Sequence, residues 1–402
     1  MKNVASNFDF SPTFQHGIRH KRPHVLHVIE ATLGGTLRYL DTIITSTAEL
    51  PFQFSLAYST LRATPELESS LEKAHARGWR TFPIEMTRNI EPRQDLRSAV
   101  DLVKLYRHLQ PDIVHCHSSK AGALGRLAAL STPFHRPRPR VLYTPNAVAA
   151  HLGKRYLYAE RALSSLTTRM VPVSDSEAEQ LLTLKLTSAG RFKIVHPVVD
   201  CEHYHVHEKA SARSALGLPA SVPIVVGVGR MAAQKQPLMF LSILKQVLQD
   251  FPDARGIWVG DGDLKAEFLQ TARQHGLEEQ ITVAGWQNDV RLWLAASDLL
   301  LSTSGYESFG YMVAEALAME RPVVATDVTG TCDIMRGDLA KFLYPDKDVA
   351  GAAELVCSLL RSPGLSARCG HLGRQTILER FPSAAMRDSL EALYSQLSTS
   401  VN

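Results

Sequence analysis

The sequence has few cysteines, no long apolar run and little excess charge. Its five cysteines are widely spaced and form no Cys-x-x-Cys pair, which favours a reducing cytoplasm. No stretch of about 18 apolar residues occurs, so the sequence predicts no membrane-spanning helix. Residues 1–22 lack an apolar core followed by a cleavage site, and we predict a flexible tail rather than a signal peptide. A net charge of +4 is too small to indicate a nucleic-acid partner.

The composition is that of a soluble globular protein, with 45% hydrophobic and 21% charged residues. A chain of 402 residues is too long for one ordinary core, so two domains are expected. Two local clusters of cations, at 19–22 and 136–140, could lie against anionic lipid head groups. A solvated tail and a solvated loop are the alternatives. A place at the inner face of the cytoplasmic membrane is therefore one expectation.

Short apolar segments alternate with helical segments in both halves of the chain. The first half begins with a predicted strand at 24–30 and the second with one at 223–229, and a polar, turn-rich hinge is expected at 197–219. This alternation predicts an α/β fold of two doubly wound, Rossmann-like domains that face a central cleft at the carboxyl ends of their strands. The predicted domains are 23–200 and 201–385, followed by a terminal helix at 386–402.

A loop rich in glycine and aromatic residues joins a predicted strand to a predicted helix at 305–315. Its backbone N–H groups lie at a helix N-terminus, which is a natural phosphate site. Glu307 and Glu315 are eight residues apart, or roughly 12 Å along a helix, about the reach from a hexose across a diphosphate to a ribose. The pair suggests a nucleotide-sugar site. Two glutamates at an ordinary helix start are the alternative.

Basic and glycine residues follow the first strand of each half. Arg230 and Lys235 leave the strand at 223–229, where two cations could clamp a diphosphate, although an ordinary basic loop would look the same. A GxGxxA pattern at 227–232 matches a dinucleotide fingerprint only superficially, since Arg230 lies inside it. Gly34 and Gly35 follow the strand at 24–30 and would allow either close backbone approach to a phosphate or a tight turn.

Two histidines, His115 and His117, alternate on the predicted strand 112–117. We expect them to face opposite sides or opposite ends of the pleat, with no third ligand nearby, and therefore predict no metal site. His117 ends the strand and is expected at the cleft, while His115 is expected to pack inside. A core histidine followed by a helix cap at 118–122 is the alternative.

Taken in order, these motifs resemble those of the retaining glycosyltransferases of family 4, which have the GT-B fold. The resemblance runs from about residue 24 to 397 and includes loops at 260–262 and 284–286. Segments 117–128 and 143–146 are similar to members that build bacterial surface polysaccharides, including lipopolysaccharide. Two positions depart from the pattern: Asn146 stands where many members have histidine, and Gln236 where glycine is common.

The resemblance implies roles for particular residues. Glu315 would bind the ribose, Glu307 and His117 the donor sugar, Arg230 and Lys235 the diphosphate, Gly34 and Gly35 the phosphates from the opposite domain, and Phe309 and Gly310 would line the same site. The family keeps the anomeric configuration by front-face attack without a divalent metal or other cofactor. The terminal helix would cross back onto the first domain.

The expected function is metal-independent, retaining transfer of a hexose from a UDP- or GDP-linked sugar to a lipid-linked sugar or growing surface polysaccharide. Two rivals use the same architecture. One is a nucleotide-sugar epimerase or a hydrolase, and the other is a scaffold that binds a nucleotide sugar without catalysis.

Overall fold

The computed structural model describes residues 22–131, 138–148 and 153–399. The predicted tail, apart from Arg22, lies outside the described residues, as do Arg136 and Pro137 of the second basic cluster. None of the helices in the described ranges is both long and apolar enough to span a bilayer.

The first sheet is parallel and has six strands in the order β3-β2-β1-β4-β5-β6. The strands are β1 (His24–Ile29), β2 (Gln53–Tyr58), β3 (Arg80–Pro83), β4 (Ile113–His117), β5 (Arg140–Thr144) and β6 (Arg169–Met170). The helices among them are α1 (Gly34–Ser46), α2 (Pro65–Ala76), α3 (Pro92–Leu109), α4 (Ser119–Leu130), α5 (Lys154–Ser164) and α6 (Asp175–Thr183). All residues of β1 and β4 are buried, as expected for central strands covered on both faces.

The second sheet is also parallel, with the order β12-β11-β10-β7-β8-β9. Its strands are β7 (Ile224–Val228), β8 (Arg255–Val259), β9 (Ile281–Gly285), β10 (Leu299–Ser302), β11 (Val323–Thr326) and β12 (Leu343–Tyr344). The helices are α7 (Lys209–Ala215), α8 (Pro237–Asp250), α9 (Lys265–Gln274), α10 (Arg291–Ala296), α11 (Tyr311–Ala318), α12 (Thr331–Ile334), α13 (Val349–Arg361), α14 (Pro363–Arg380) and α15 (Ser383–Thr399). The two parallel sheets confirm the predicted α/β fold of two doubly wound domains.

The first sheet separates two layers of helices. Leu26, Val28 and Val114 face α3 and α4, while Val25 and Ile29 face α1. The last helix, α15, packs on the α1 side, where the Tyr394 hydroxyl lies 3.0 Å from His115 Nδ1 and Arg169 donates to Gln396 at 2.7 Å. The C-terminal helix therefore lies against the first domain.

Candidate active site

Glu315 lies on α11 and meets a cation from the other domain. Its side chain is buried, and Arg38 of α1 forms an ion pair with Glu315 Oε1 and a hydrogen bond with the hydroxyl of Tyr204. Burial raises the pKa of Glu315, and the Arg38 charge opposes that shift. The second oxygen, Oε2, has no hydrogen-bond partner among the described residues. Glu315 can therefore accept a hydroxyl while Arg38 balances its charge.

Glu307 and Lys235 contact each other directly. Lys235 Nζ lies 2.5 Å from Glu307 Oε1, and both side chains are mostly buried. Two hydrogen bonds join the loops that carry them: Gly305 N donates to Gln234 O at 2.8 Å, and Thr303 Oγ1 donates to Lys235 O at 2.8 Å. The predicted sugar ligand and one predicted phosphate ligand thus form a single acid–base pair at the end of β10.

Arg230 lies at the carboxyl end of β7 and is exposed. Its backbone oxygen accepts from Ala232 N at 2.8 Å. Its guanidinium group has no hydrogen bond or ion pair with any residue in the part of the chain that the structure describes, so the charge of the side chain is available to a ligand. Nearby, Gln236 has a φ of +45°, in the left-handed region that favours glycine. That conformation would suit glycine, the residue that the resemblance leads one to expect at this position.

The glycines of the first domain approach the aromatic loop of the second. Gly34 has a φ of +61°, and a Cβ on Gly35 would lie 3.4 Å from the ring of Tyr311. Gly310, at φ +96°, precedes α11. Phe309 is buried and packs edge-on against Phe381, with ring centroids 5.0 Å apart, so only its backbone is available to a ligand. The Gly34–Gly35 turn and the start of α11 therefore face each other across the domain boundary.

His117 does not occupy the predicted position at an open cleft. Residues two apart on a strand point to the same side, so the expectation that His115 and His117 face opposite sides was wrong. Both side chains are fully buried, their ring centroids are 4.3 Å apart, and His27 lies opposite His115 in the register of β1 and β4. Burial lowers the pKa of His117 to about 3, which keeps its ring neutral. His117 is a core residue of the first domain.

The rings of the three histidines lie against one another in a stack, and one hydrogen bond joins two of them. Their ligand atoms lie within 4.8 Å of one another, and this is the one group of three or more metal-binding side chains among the described residues. His27 Nδ1 and His117 Nε2 are already bonded at 3.0 Å, while His115 uses one nitrogen on Tyr394 and the other on Thr144. The nitrogens without partners, His27 Nε2 and His117 Nδ1, lie on the far sides of the bonded pair. This geometry suits neutral imidazoles better than a shared cation.

Two Asp-x-Asp triplets, a common metal-binding pattern, occur at 261–263 and 346–348. Asp261 is paired with Lys265 at 2.6 Å, Asp346 accepts from Gln236 at 3.1 Å, and Asp348 caps α13 through Gly351 N at 2.9 Å. The absence of a metal remains a prediction.

Further polar groups line the carboxyl edge of the first sheet. Ser118 after β4 and Asn146 after β5 have φ values of +70° and +52°, which non-glycine residues rarely adopt. Ser118 Oγ and Asn146 Nδ2 are buried without partners among the described residues, as is Thr32 Oγ1 after β1. Glu177 holds this edge by accepting from Ala147 N at 2.9 Å. Unpaired polar atoms on three neighbouring strand ends are suited to the hydroxyls of a ligand.

Sequence reasoning missed Arg38, although a signal was present. Arg38 lies four residues after Gly34, one helical turn along α1, and so projects on the same side as the glycine turn. Tyr204 carried no such signal, because it lies in the segment that connects the two domains.

Comparison with known proteins agrees with this architecture. Residues 33–203 match the family described as Glycosyltransferase Family 4, and residues 222–362 match the family described as Glycosyl transferases group 1. The UDP-Gal:alpha-D-GlcNAc-diphosphoundecaprenol alpha-1,3-galactosyltransferase of Escherichia coli is 27% identical over 279 residues, covering 67% of this chain and 71% of that protein. A D-inositol 3-phosphate glycosyltransferase of Mycobacterium sp. (strain KMS) is 31% identical over 272 residues, covering 64% of this chain and 61% of its own length.

Solved structures show the same fold. Anabaena HepE in complex with UDP and glucose superposes with a TM-score of 0.79 at 18% identity, covering 93% of this chain and all of HepE. Sucrose-phosphate synthase from Thermosynechococcus elongatus gives a TM-score of 0.76 at 19% identity, covering 94% of this chain and all of the synthase. With both domains matched in sequence and in fold, the chain belongs to the family 4 type of GT-B glycosyltransferases.

Proposed function

We propose that this glycosyltransferase moves a hexosyl group from a nucleotide-diphosphate sugar to a lipid-linked sugar or a growing surface polysaccharide, with retention of configuration and without a divalent metal. The observation that carries the proposal is the grouping of Arg230, the Lys235–Glu307 pair and Glu315 at one end of the second sheet, opposite Gly34–Gly35. Cations beside carboxylates suit a ligand that carries both phosphates and hydroxyls.

The nucleotide half of the donor would lie between Glu315 and the two cations. Glu315 Oε2 accepts a ribose hydroxyl, and Arg230 and Lys235 bind the diphosphate and stabilise the charge that builds on it as it leaves. The relatives agree with this donor class. HepE was crystallised with UDP and glucose, and the E. coli relative is named for UDP-Gal.

The sugar half would lie between Glu307 and the polar carboxyl edge of the first domain. Glu307 accepts a sugar hydroxyl, and Ser118 and Asn146 contribute further polar contacts. The bond from the anomeric carbon to the phosphate oxygen breaks, and the acceptor oxygen bonds to the same face. The acceptor proton passes to the departing diphosphate. With a lipid-linked acceptor, we expect this step at the inner face of the cytoplasmic membrane.

Donor binding is the first test. A ligand that binds only the folded state raises the melting temperature, and at a hundred times its Kd it adds about 2.7 kcal/mol of stability. We expect UDP or GDP and the matching hexose conjugate to raise the melting temperature equally with and without EDTA. A shift that EDTA abolishes would contradict the metal-free diphosphate site. No shift with any nucleotide would overturn the donor assignment.

The Glu307→Ala variant tests turnover. Loss of a polar group that acts on the transition state costs roughly 10²–10³ in rate, so turnover should fall to near background. Glu267→Ala, which changes an exposed glutamate on α9, is the matched control and should be unaffected. Full activity in Glu307→Ala would remove the central assignment. Free hexose without acceptor would indicate a hydrolase, an altered sugar an epimerase, and tight donor binding without transfer a scaffold.

A further inference from the structure

One face of the first domain is formed by α3, α4 and α5 side by side, and is here called the α3–α5 face. The inner sides of these helices bury residues such as Leu102 and Leu124 against the sheet. The outer sides are available to solvent.

The outer stripe of α3 is basic and apolar. Its exposed positions are three or four residues apart and share one side of the helix: Arg93, Leu96, Arg97, Val100, Lys104 and Arg107. The helix has 18 residues, so the stripe runs for roughly 27 Å. Its two acids are neutralised, because Lys120 pairs with Asp95 at 2.6 Å and Lys104 with Asp101 at 3.3 Å. Because Lys104 is balanced by Asp101, the excess positive charge of the stripe comes from Arg93, Arg97 and Arg107.

The rest of the face continues this pattern. On α5, Lys154 and Arg155 are exposed, while Glu160 is buried in a pair with Arg126 at 2.7 Å. Large apolar side chains stand among these cations: Ile90, Leu96, Val100, Leu127, Leu130, Tyr156 and Tyr158, with Ile90 68% and Tyr158 65% exposed. By contrast, α2 on the opposite side of the sheet exposes three glutamates, Glu66, Glu68 and Glu72, and one lysine, Lys73. The first domain is therefore cationic on the α3–α5 face and more acidic on the opposite side of the sheet.

We propose that the α3–α5 face docks on an anionic lipid bilayer. Its cations complement negatively charged head groups, and its aliphatic and tyrosine side chains are of the kind that enter the interfacial region. A nucleic acid would account for the cations but would leave Ile90, Leu96 and Val100 exposed. The bilayer is the partner whose chemistry matches both components.

The orientation of the face relative to the site supports this partner. A helix that follows a parallel strand begins at the carboxyl edge of the sheet, so α3, α4 and α5 all start at the edge that carries Ser118 and Asn146. Lys120 joins the start of α4 to the loop before α3 through Asn89 O at 2.7 Å. Docking would place this polar edge beside the head groups, where a lipid-linked sugar presents itself. In this respect the inference rests on the proposed function.

The test is co-sedimentation of the full chain with vesicles. One set contains equal parts of phosphatidylglycerol and phosphatidylcholine, and the other contains phosphatidylcholine alone. We expect binding to the anionic vesicles and its weakening as salt screens the charges. Arg93→Gln/Arg97→Gln/Lys104→Gln should lower the partition coefficient roughly a hundredfold, since each cation near an anionic surface contributes several-fold.

A matched control removes the same charge elsewhere. Arg77→Gln/Lys245→Gln/Arg368→Gln changes three exposed cations outside the α3–α5 face and should bind like the unaltered protein. Ile90→Ser/Leu96→Ser should reduce the binding that persists at high salt. All these side chains are exposed, and melting temperatures would verify folding.

The outcomes separate this inference from the proposed function. The proposed docking surface would be wrong if the two triple variants lost vesicle binding equally, or if the unaltered protein failed to bind anionic vesicles. This would hold even if nucleotides still raised the melting temperature. If the protein bound vesicles through the α3–α5 face but no nucleotide raised its melting temperature, the donor assignment would be wrong and the proposed docking surface would be supported.

Discussion

At the scale of single residues, the pair between Arg38 and Glu315 has the clearest functional consequence. The Arg38 side chain is 41% exposed, while that of Glu315 is 2% exposed. A buried carboxylate needs a partner, and here the partner comes from the opposite domain. The Arg38 charge therefore opposes the rise in the pKa of Glu315 that burial causes.

Replacing Arg38 by glutamine should destabilise the protein in a pH-dependent way. Breaking a fully buried pair costs about 3–5 kcal/mol, and because Arg38 is partly solvated we expect about 2 kcal/mol at pH 7.5. Without the cation, burial raises the pKa of Glu315 further. A carboxyl with a raised folded-state pKa loses stability as pH rises through that value, so the deficit should shrink toward pH 5. Urea denaturation at the two pH values measures it.

The matched control is Lys209→Gln. Lys209 is similarly exposed and pairs with Asp298 at 2.8 Å, but Asp298 keeps a second partner in Arg213. The Lys209→Gln variant should therefore lose little free energy of unfolding at either pH value. A deficit in Arg38→Gln that is the same at pH 5 and pH 7.5 would show that the charge of Glu315 is not involved.

At the scale of secondary-structure elements, α15 completes the core of the first domain. Tyr394 packs edge-on against Phe52, with centroids 5.6 Å apart, and its hydroxyl reaches His115. Both groups are fully buried, so neither can exchange this partner for water.

Tyr394→Phe keeps the packing and removes the hydroxyl. A buried polar atom that loses its partner costs about 1–3 kcal/mol, and His115 Nδ1 would be left in that position. Equilibrium denaturation should show that the free energy of unfolding falls by this amount. Tyr156→Phe, which alters an exposed tyrosine, should leave it unchanged. An unchanged stability would mean that water replaces the hydroxyl.

Sequence patterns predicted most secondary-structure elements but not the side-chain contacts between them. The predicted strands at 24–30, 112–117 and 223–229 agree within one residue at each end with β1, β4 and β7. The strand Arg80–Pro83 was missed because it is short and only partly buried, and α7 was missed because it lies inside the polar segment assigned to the hinge. Arg38–Glu315 depends on the docking of two domains, which local patterns do not encode.

At the scale of the whole molecule, two polar junctions join the domains within the part of the chain that the structure describes. One is Arg38 with Glu315. In the other, Ser176 at the start of α6 donates to Asp333 Oδ2 through its backbone N at 2.8 Å and its hydroxyl at 2.6 Å. Arg336 pairs with Asp175 across the same boundary at 2.8 Å. A donor that binds Glu315 must share it with Arg38, whereas the second junction uses no residue of the proposed donor site. Donor binding is therefore expected to perturb the first junction more than the second.

The free energy of unfolding should depend on pH because the histidines of the buried stack titrate differently in the folded and unfolded states. Burial lowers the pKa of His27, His115 and His117, so the native state binds fewer protons than the unfolded chain below about pH 6.5. Stability from a depressed folded-state pKa is lost as pH falls, at about 1.4 kcal/mol per pH unit for each such group. Glu177, whose pKa burial raises to about 7, opposes this trend because its contribution is lost as pH rises.

The variant His27→Phe isolates one member of the stack. His27 lies between Trp79 and His117, with ring centroids 5.1 Å and 5.3 Å away, so another aromatic ring can occupy the site. Because the other titrating groups are retained, the slope of unfolding free energy against pH between about 4 and 6 should fall by about 1.4 kcal/mol per pH unit. His205→Asn, at an exposed position, should leave the slope unchanged. An equal slope in His27→Phe and the unaltered protein would mean that His27 is protonated in the folded state and that the stack carries charge.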